Sequence, residues 1–142
     1  MTDDTTITTV RTPAEGNGPI RVFVVDDHPA FLRTVAVVID ATPGFTLAGT
    51  AESGVDAWDS LAARSDVDMV LLDVNLPDVS GIEIARRRAE AGAKGVVVLM
   101  STADPADLPA DAFDRGVAGF LPKERLTTQE LRAIWDDAND VS

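Results

Sequence analysis

Met69-Val-Leu-Leu72, which runs into Asp73, and Val96-Val-Val-Leu-Met100, which follows Gly95, are strand-like segments that are apolar without interruption. A strand with one face in water alternates apolar and polar residues. A strand with no polar position has both faces covered. Covering both faces of a sheet requires helices on each side, and right-handed crossovers between parallel strands put them there. These two segments therefore constrain the fold more than any other feature.

The rest of the chain supplies the matching pieces. Ile20–Asp26 is a β-rich run ending in acids, Phe45–Ala51 is a second strand, and Gly119–Leu121 is a short last one. Between them lie segments of helical period. Pro29–Ala41 spaces Phe31, Leu32, Val35, Val38 and Ile39 along one face, with Pro29 suited to a first turn and Pro43-Gly44 as a stop. Gly54–Arg64 carries Val55, Trp58 and Leu61. Ser80–Ala91 ends at Gly92, and a fourth helix runs from Asp104 to about Arg115. Thr127-x-x-Glu130 has the form of a capping box, and Leu131, Ile134 and Trp135 follow it on a fifth helix. Five strands alternating with five helices make an α/β fold, a (βα)5 doubly wound parallel sheet. Residues 1–19 show no apolar period and read as a flexible tail. Residues 20–139 form one domain, and residues 140–142 a short polar end.

Charge and composition exclude whole classes of function. The chain has 142 residues, with 12 Lys and Arg against 24 Asp and Glu, for a net charge of −12. Nucleic acid and anionic membranes need a basic partner, so direct binding of either by this chain is not expected. There is no Cys and one His, which removes disulfides, thiolate–zinc sites and a Cys nucleophile. No apolar run approaches the ~18 residues that span a bilayer, and the polar start is not a signal peptide. A cytoplasmic location is the expectation.

In an open parallel sheet, ligands sit beyond the carboxyl ends of the strands. Asp26 and Asp27 leave the first strand at that edge, Asp73 the third, Ser101 and Thr102 the fourth, and Lys123 follows the fifth. Crowded carboxylates repel unless a cation sits among them. A hard divalent ion such as Mg²⁺ suits oxygen donors of this kind: Asp26, Asp27, Asp73 and the backbone carbonyl of Asn75. Asp73 can also act as a nucleophile that forms an aspartyl phosphate, with Lys123 and the Ser101 hydroxyl neutralising the phosphoryl oxygens.

Four motifs in order, Val-Val-Asp26-Asp27-His28-Pro29, Leu-Leu-Asp73-Val-Asn75-Leu-Pro77, Leu-Met-Ser101 and Gly119-Phe120-Leu-Pro-Lys123, resemble the receiver domain of two-component response regulators. The resemblance covers about residues 20–139. Its Asp-Asp-His-Pro start is similar to the subclass usually linked to LuxR/NarL-type helix-turn-helix output domains. It implies a flavodoxin-like sheet of strand order 2-1-3-4-5 and Asp73 as phosphoryl acceptor from a histidine kinase or phosphotransfer protein. It further implies Mg²⁺ held by Asp27 directly and by Asp26 through water. Ser101 and Phe120 would be switch residues, reshaping a surface read by a downstream protein or a dimer partner. The chain is then either a stand-alone switch or the receiver part of a longer DNA-binding regulator.

Two positions depart from the family pattern. Thr102 stands where a small residue is usual, so its β-branched side chain would modulate access to Asp73. Pro122 precedes Lys123, and Glu124 follows it where many members have proline, so a cis Leu121–Pro122 bond is the minority outcome and a trans bond the expected one. An Asp-nucleophile phosphatase is the competing class, but it would want a second acid at position 75, where this chain has Asn. Taken singly, Asp26 and Asp27 read as caps of the first helix and His28 as a helix-start residue. Arg86-Arg87-Arg88 reads as a solvated face, and Trp58 and Trp135 as packing, with partial exposure of Trp135 at a partner face as the sharper alternative.

Overall fold

The computed structural model describes residues 18–102, 106, 108 and 117–139. Its elements in chain order are β1 (Ile20–Val25), α1 (Pro29–Ala41), β2 (Phe45–Ala51), α2 (Gly54–Ala62), β3 (Met69–Asp73), α3 (Gly81–Glu90), β4 (Val96–Ser101), β5 (Val117–Pro122), a 3-10 turn (Lys123–Arg125) and α4 (Thr128–Asn139). The strands form one sheet in the order β2-β1-β3-β4-β5, and every neighbouring pair is parallel. The order is the expected one. The helix expected over 104–115 lies outside the described residues apart from Ala106 and Leu108, as does nearly all of the N-terminal tail.

The uninterrupted apolar strands divide their side chains between two cores. Val22 and Val24, Met69 and Leu71, and Val98 and Met100 face α1 and α4, where Val35, Ile39, Leu131 and Trp135 close the layer. Phe23 and Val25, Val70 and Leu72, and Val97 and Leu99 face α2 and α3, against Ala57, Leu61, Ile84 and Ala85. Every residue of β3 is buried, as its sequence demands. Trp135 is buried and meets Phe45 edge-on, with ring centroids 6.4 Å apart, a packing role that leaves no exposed indole face for a partner.

Local chemistry sets the element ends. Ser53 Oγ accepts from the Asp56 amide at the start of α2, Ser80 Oγ from Ile82 at the start of α3, and Thr127 Oγ1 from Glu130 before α4. Each satisfies an amide that the helix itself leaves unpaired. α2 stops at Ala62, short of the expected Arg64, because Arg64 turns back to donate to the Ala48 carbonyl at 3.0 Å and to fork onto Asp66. β5 is longer than expected, since pairing with β4 from Val97 to Ser101 holds the strand extended from Val117 through the weak β-formers Ala118 and Gly119. The described peptide bonds include no cis bond, so Leu121–Pro122 is trans. Gly81 is sterically obligatory: a Cβ there would overlap the Asp73 carbonyl oxygen, so α3 abuts the end of β3 directly.

Arg88 departs from the solvated face expected for the arginine run. Arg86 and Arg87 are exposed and paired with Glu83 and Glu90, but Arg88 is buried. Three consecutive residues of a helix point about 100° apart, so a run of like residues cannot share one environment.

Candidate functional site

β1 and β3 end side by side, and their terminal acids meet there. Asp26, immediately after β1, is fully buried, and Asp73, the last residue of β3, is nearly so. The chain leaves β5 into a 3-10 turn whose first residue, Lys123, reaches back between them. Its ammonium lies 2.5 Å from Asp26 Oδ2 and 3.1 Å from Asp73 Oδ2. The Asp73 contact is an aligned hydrogen bond. The Asp26 contact is a direct ion pair and the shorter of the two. Asp73 Oδ1 accepts from the Asn75 amide at 3.1 Å.

The electrostatics follow from burial and pairing. Burial pushes the Asp73 carboxyl above the usual carboxylate range, outweighing the Asn75 amide and Lys123, which pull it down. Burial pulls the Lys123 ammonium down, but the Asp26 and Asp73 carboxylates outweigh it and hold it above its ordinary value. One buried cation thus serves two buried acids.

Asp27 is part-exposed, and its buried Oδ1 faces the His28 ring at 3.1 Å. Single ligand atoms of Asp26, Asp27, His28 and Asp73 lie within 4.8 Å of one another. An excess of carboxylate oxygens over the cations facing them is the donor set a hard cation takes up, so the pocket could bind a metal.

The other expected residues sit around this centre in different degrees. Asn75 is exposed on the β3–α3 loop and touches Asp73 through its amide. Ser101 is fully buried at the last position of β4, in register with Pro122, and Thr102 beyond it is exposed. Phe120 is half-buried in β5, in register with Leu99, and packs against the α2–α3 core layer. The reading of Asp26 and Asp27 as caps of α1 gives way: His28 is the N-cap residue and makes no side-chain cap bond.

Three residues matter here that the sequence reading passed over or placed differently. His28 turns its Nδ1 to Asp26 at 2.9 Å and Asp27 at 3.1 Å; the Asp26 hydrogen bond, then the Asp27 charge, hold its pKa above the ordinary value. Phe31, in the first turn of α1, places its ring 4.8 Å from the Lys123 ammonium, a cation–π contact. Asp78 does not simply turn the chain. Its carboxylate accepts from the Gly54 and Val55 amides at 2.8 and 2.9 Å, capping α2 from the loop that follows Asp73. Those two amides, Gly54 foremost, hold its carboxyl below the usual range. Asp78 had only a turn-like local signal, because its partners lie more than twenty residues away.

A family profile described as the response regulator receiver domain matches residues 22–136. The chain belongs to that family. Among curated proteins, this receiver domain is 31% identical over 116 residues to the nitrate/nitrite response regulator NarP of Escherichia coli K12, a match covering 82% of this chain and 54% of NarP. It is 30% identical over 117 residues to the response regulator UvrY of the same strain, covering 81% of this chain and 52% of UvrY. The receiver domain thus spans about half the length of the curated relatives it matches. Among solved structures, it is similar to a signal receiver domain of Mycobacterium tuberculosis, that of a response regulator called NarL. The TM-score is 0.78 at 29% identity, over 87% of this chain and 99% of that one. A CheY-like receiver from Methanospirillum hungatei, with a TM-score of 0.74 at 15% identity, over 87% of this chain and 95% of that one, shares the fold. Receiver domains are signalling modules of two-component systems. Among the described residues, no helix is long and apolar enough to cross a membrane.

Proposed function

We propose that this receiver domain is a phosphorylation-dependent switch whose acceptor is Asp73. The observation that carries the reading is the buried Asp26–Lys123–Asp73 cluster, with Asp27 beside it. A histidine kinase or phosphotransfer protein supplies the group. A carboxylate oxygen of Asp73 forms the new O–P bond as the N–P bond of the donor phosphohistidine breaks, and the imidazole nitrogen keeps the electron pair. Lys123 stands within bonding distance of Asp73 and offsets the charge that arrives there. The Asn75 amide and the abutting Gly81 fix the acceptor's carboxylate and backbone. Asp26, Asp27, Asp73 and the Asn75 carbonyl would hold Mg²⁺, which supplies neutralisation of phosphoryl oxygens when bound.

Ser101, buried at the end of β4, is the hydroxyl that would meet the phosphoryl group, and Phe120 the aromatic that repacks in response. The two states then differ in the surface beside β5 and α4, which a downstream protein or a second copy of the chain reads. Incubation with Mg²⁺ and acetyl phosphate, followed by mass spectrometry, is expected to add one phosphoryl group at Asp73; beryllofluoride is expected to shift resonances of the same cluster. No modification and no shift at any donor concentration sinks the reading.

The exposed Thr102 stands beside this site as a gate of modest effect. Thr102→Ala is expected to shorten the lifetime of the phosphorylated protein and quicken its formation several-fold, measured by following the phosphorylated fraction after donor removal. Unchanged rates in both directions dismiss a role for Thr102 in access.

A further inference from the structure

The buried positions of α3 are Gly81, Ile84, Ala85 and Arg88. That is the i, i+3, i+4, i+7 stripe a core-facing helix fills with apolar side chains. Arg88 therefore places a cation where the helix period calls for a hydrocarbon, and it is 7% exposed there. One Nη donates to the Lys94 carbonyl at 2.7 Å. The Nε is buried with no acceptor, and among the described residues no carboxylate pairs with this guanidinium. Burial pushes its pKa down, yet an arginine side chain keeps its proton. A buried charge left unmatched is costly unless an anion faces it.

Arg88 borders a cavity of about 440 Å³ between α2 and α3. The cavity lies at the edge of the sheet where β3 and β4 begin, the opposite end from Asp73. Trp58 and Leu61 of α2 and Val67 of the following loop give it apolar walls, and the exposed Lys94 stands at its rim. Arg64 also lines it, but the fold has matched that charge with Asp66 at 3.0 and 3.1 Å. The contrast within one cavity is informative: one guanidinium has its carboxylate built in, and the other does not. The volume falls within the ~300–1,000 Å³ of small-molecule sites, which combine apolar walls with a few placed polar groups.

We propose that this cavity is a second binding site, for a small carboxylate with a flat apolar body. The carboxylate faces Arg88 and the apolar body lies against Trp58 and Leu61. A guanidinium matches both carboxylate and phosphate, but one arm of Arg88 is already taken by the Lys94 carbonyl. Apolar walls also disfavour a second negative charge. A singly charged acid is the better complement. This site is independent of the phosphorylation reading and stands whether or not Asp73 is an acceptor.

The test is a titration of the ¹⁵N-labelled chain with 1-naphthoate and, separately, with its neutral isostere 1-naphthamide. It follows the Trp58 indole and Arg88 Nε–H resonances, with Trp135 on the other face of the sheet as an internal control. The acid is expected to give saturable shifts at Trp58 and Arg88 but not Trp135, and to bind about tenfold or more tightly than the amide. In Arg88→Leu, which supplies the residue type the helix stripe calls for, the preference for the acid is expected to vanish while the amide binds as before. Arg88→Gln gives the same comparison should the leucine variant misfold. Equal affinities for acid and amide, no saturable shift up to millimolar ligand, shifts centred elsewhere, or an acid preference that survives loss of Arg88 each overturn the proposal.

Discussion

Asp73→Asn is expected to abolish phosphoryl acceptance, with the rate of modification by acetyl phosphate falling on the order of 10³-fold or more. The substitution is nearly isosteric, but Asn keeps one oxygen for the two donors that hold the side chain, the Asn75 amide and Lys123, so one of those two bonds is lost. An amide oxygen lacks the negative charge that makes a carboxylate a nucleophile. The substitution also removes one of two buried charges sharing one ammonium, which offsets that lost bond, so the variant is expected to be folded with a stability close to the parent's. That combination, intact thermal unfolding with lost modification by mass spectrometry, separates the chemical role of Asp73 from a structural one. Modification persisting at the parent rate places the acceptor elsewhere.

Lys123→Met carries the largest expected effect on stability. The Lys123 ammonium is about nine-tenths buried between Asp26 and Asp73, themselves almost wholly buried. Removing one partner of a buried ionic group strands the others and costs roughly 3–5 kcal/mol. Thermal unfolding is expected to drop by about 10 °C. The pH dependence has a definite sign. Asp73 already sits above the usual carboxylate range through burial, and losing Lys123 raises it further. A folded state with a raised carboxyl pKa binds more protons than the unfolded chain between the two values, so stability falls as pH rises through that window. The deficit of the variant is therefore expected to be greatest at neutral pH and to shrink on acidification toward the window's lower end. Millimolar Mg²⁺ is expected to recover part of the loss by bringing a cation to the same oxygens. Denaturant unfolding at two pH values, with and without Mg²⁺, checks all three statements; a variant as stable as the parent at neutral pH contradicts the ion cluster as described.

What the sequence makes legible is set by the range of the forces involved. The apolar blocks Met69–Leu72 and Val96–Met100 impose two covered faces on their strands whatever surrounds them, and from that the layered sheet follows. α1 is readable from end to end because Pro29 starts it and Pro43-Gly44 stops it. The Asp26, Asp73 and Lys123 cluster is readable because strand ends in a parallel sheet share one edge. The contacts that escaped are those fixed by distant partners. Asp78 caps a helix that precedes it by two elements, Phe31 lies under an ammonium from the far end of the chain, and Arg64 leaves α2 for a carbonyl on β2. Arg88 escaped for another reason. Its neighbours in sequence share its charge, and only the helix period, applied residue by residue, separates the buried one from the exposed two.

The bonds from Asp78 to α2 have a mechanical consequence. The loop leaving Asp73 is moored on one flank to the start of α2, and Gly81 is wedged against the carbonyl of Asp73 itself. On the other flank, Lys123 hangs from the end of β5, an edge strand with a neighbour on one side only. The site is braced by hydrogen bonds along the α2 border and bounded on the other by an edge strand, so a change of charge at Asp73 is expected to displace the β5 border first.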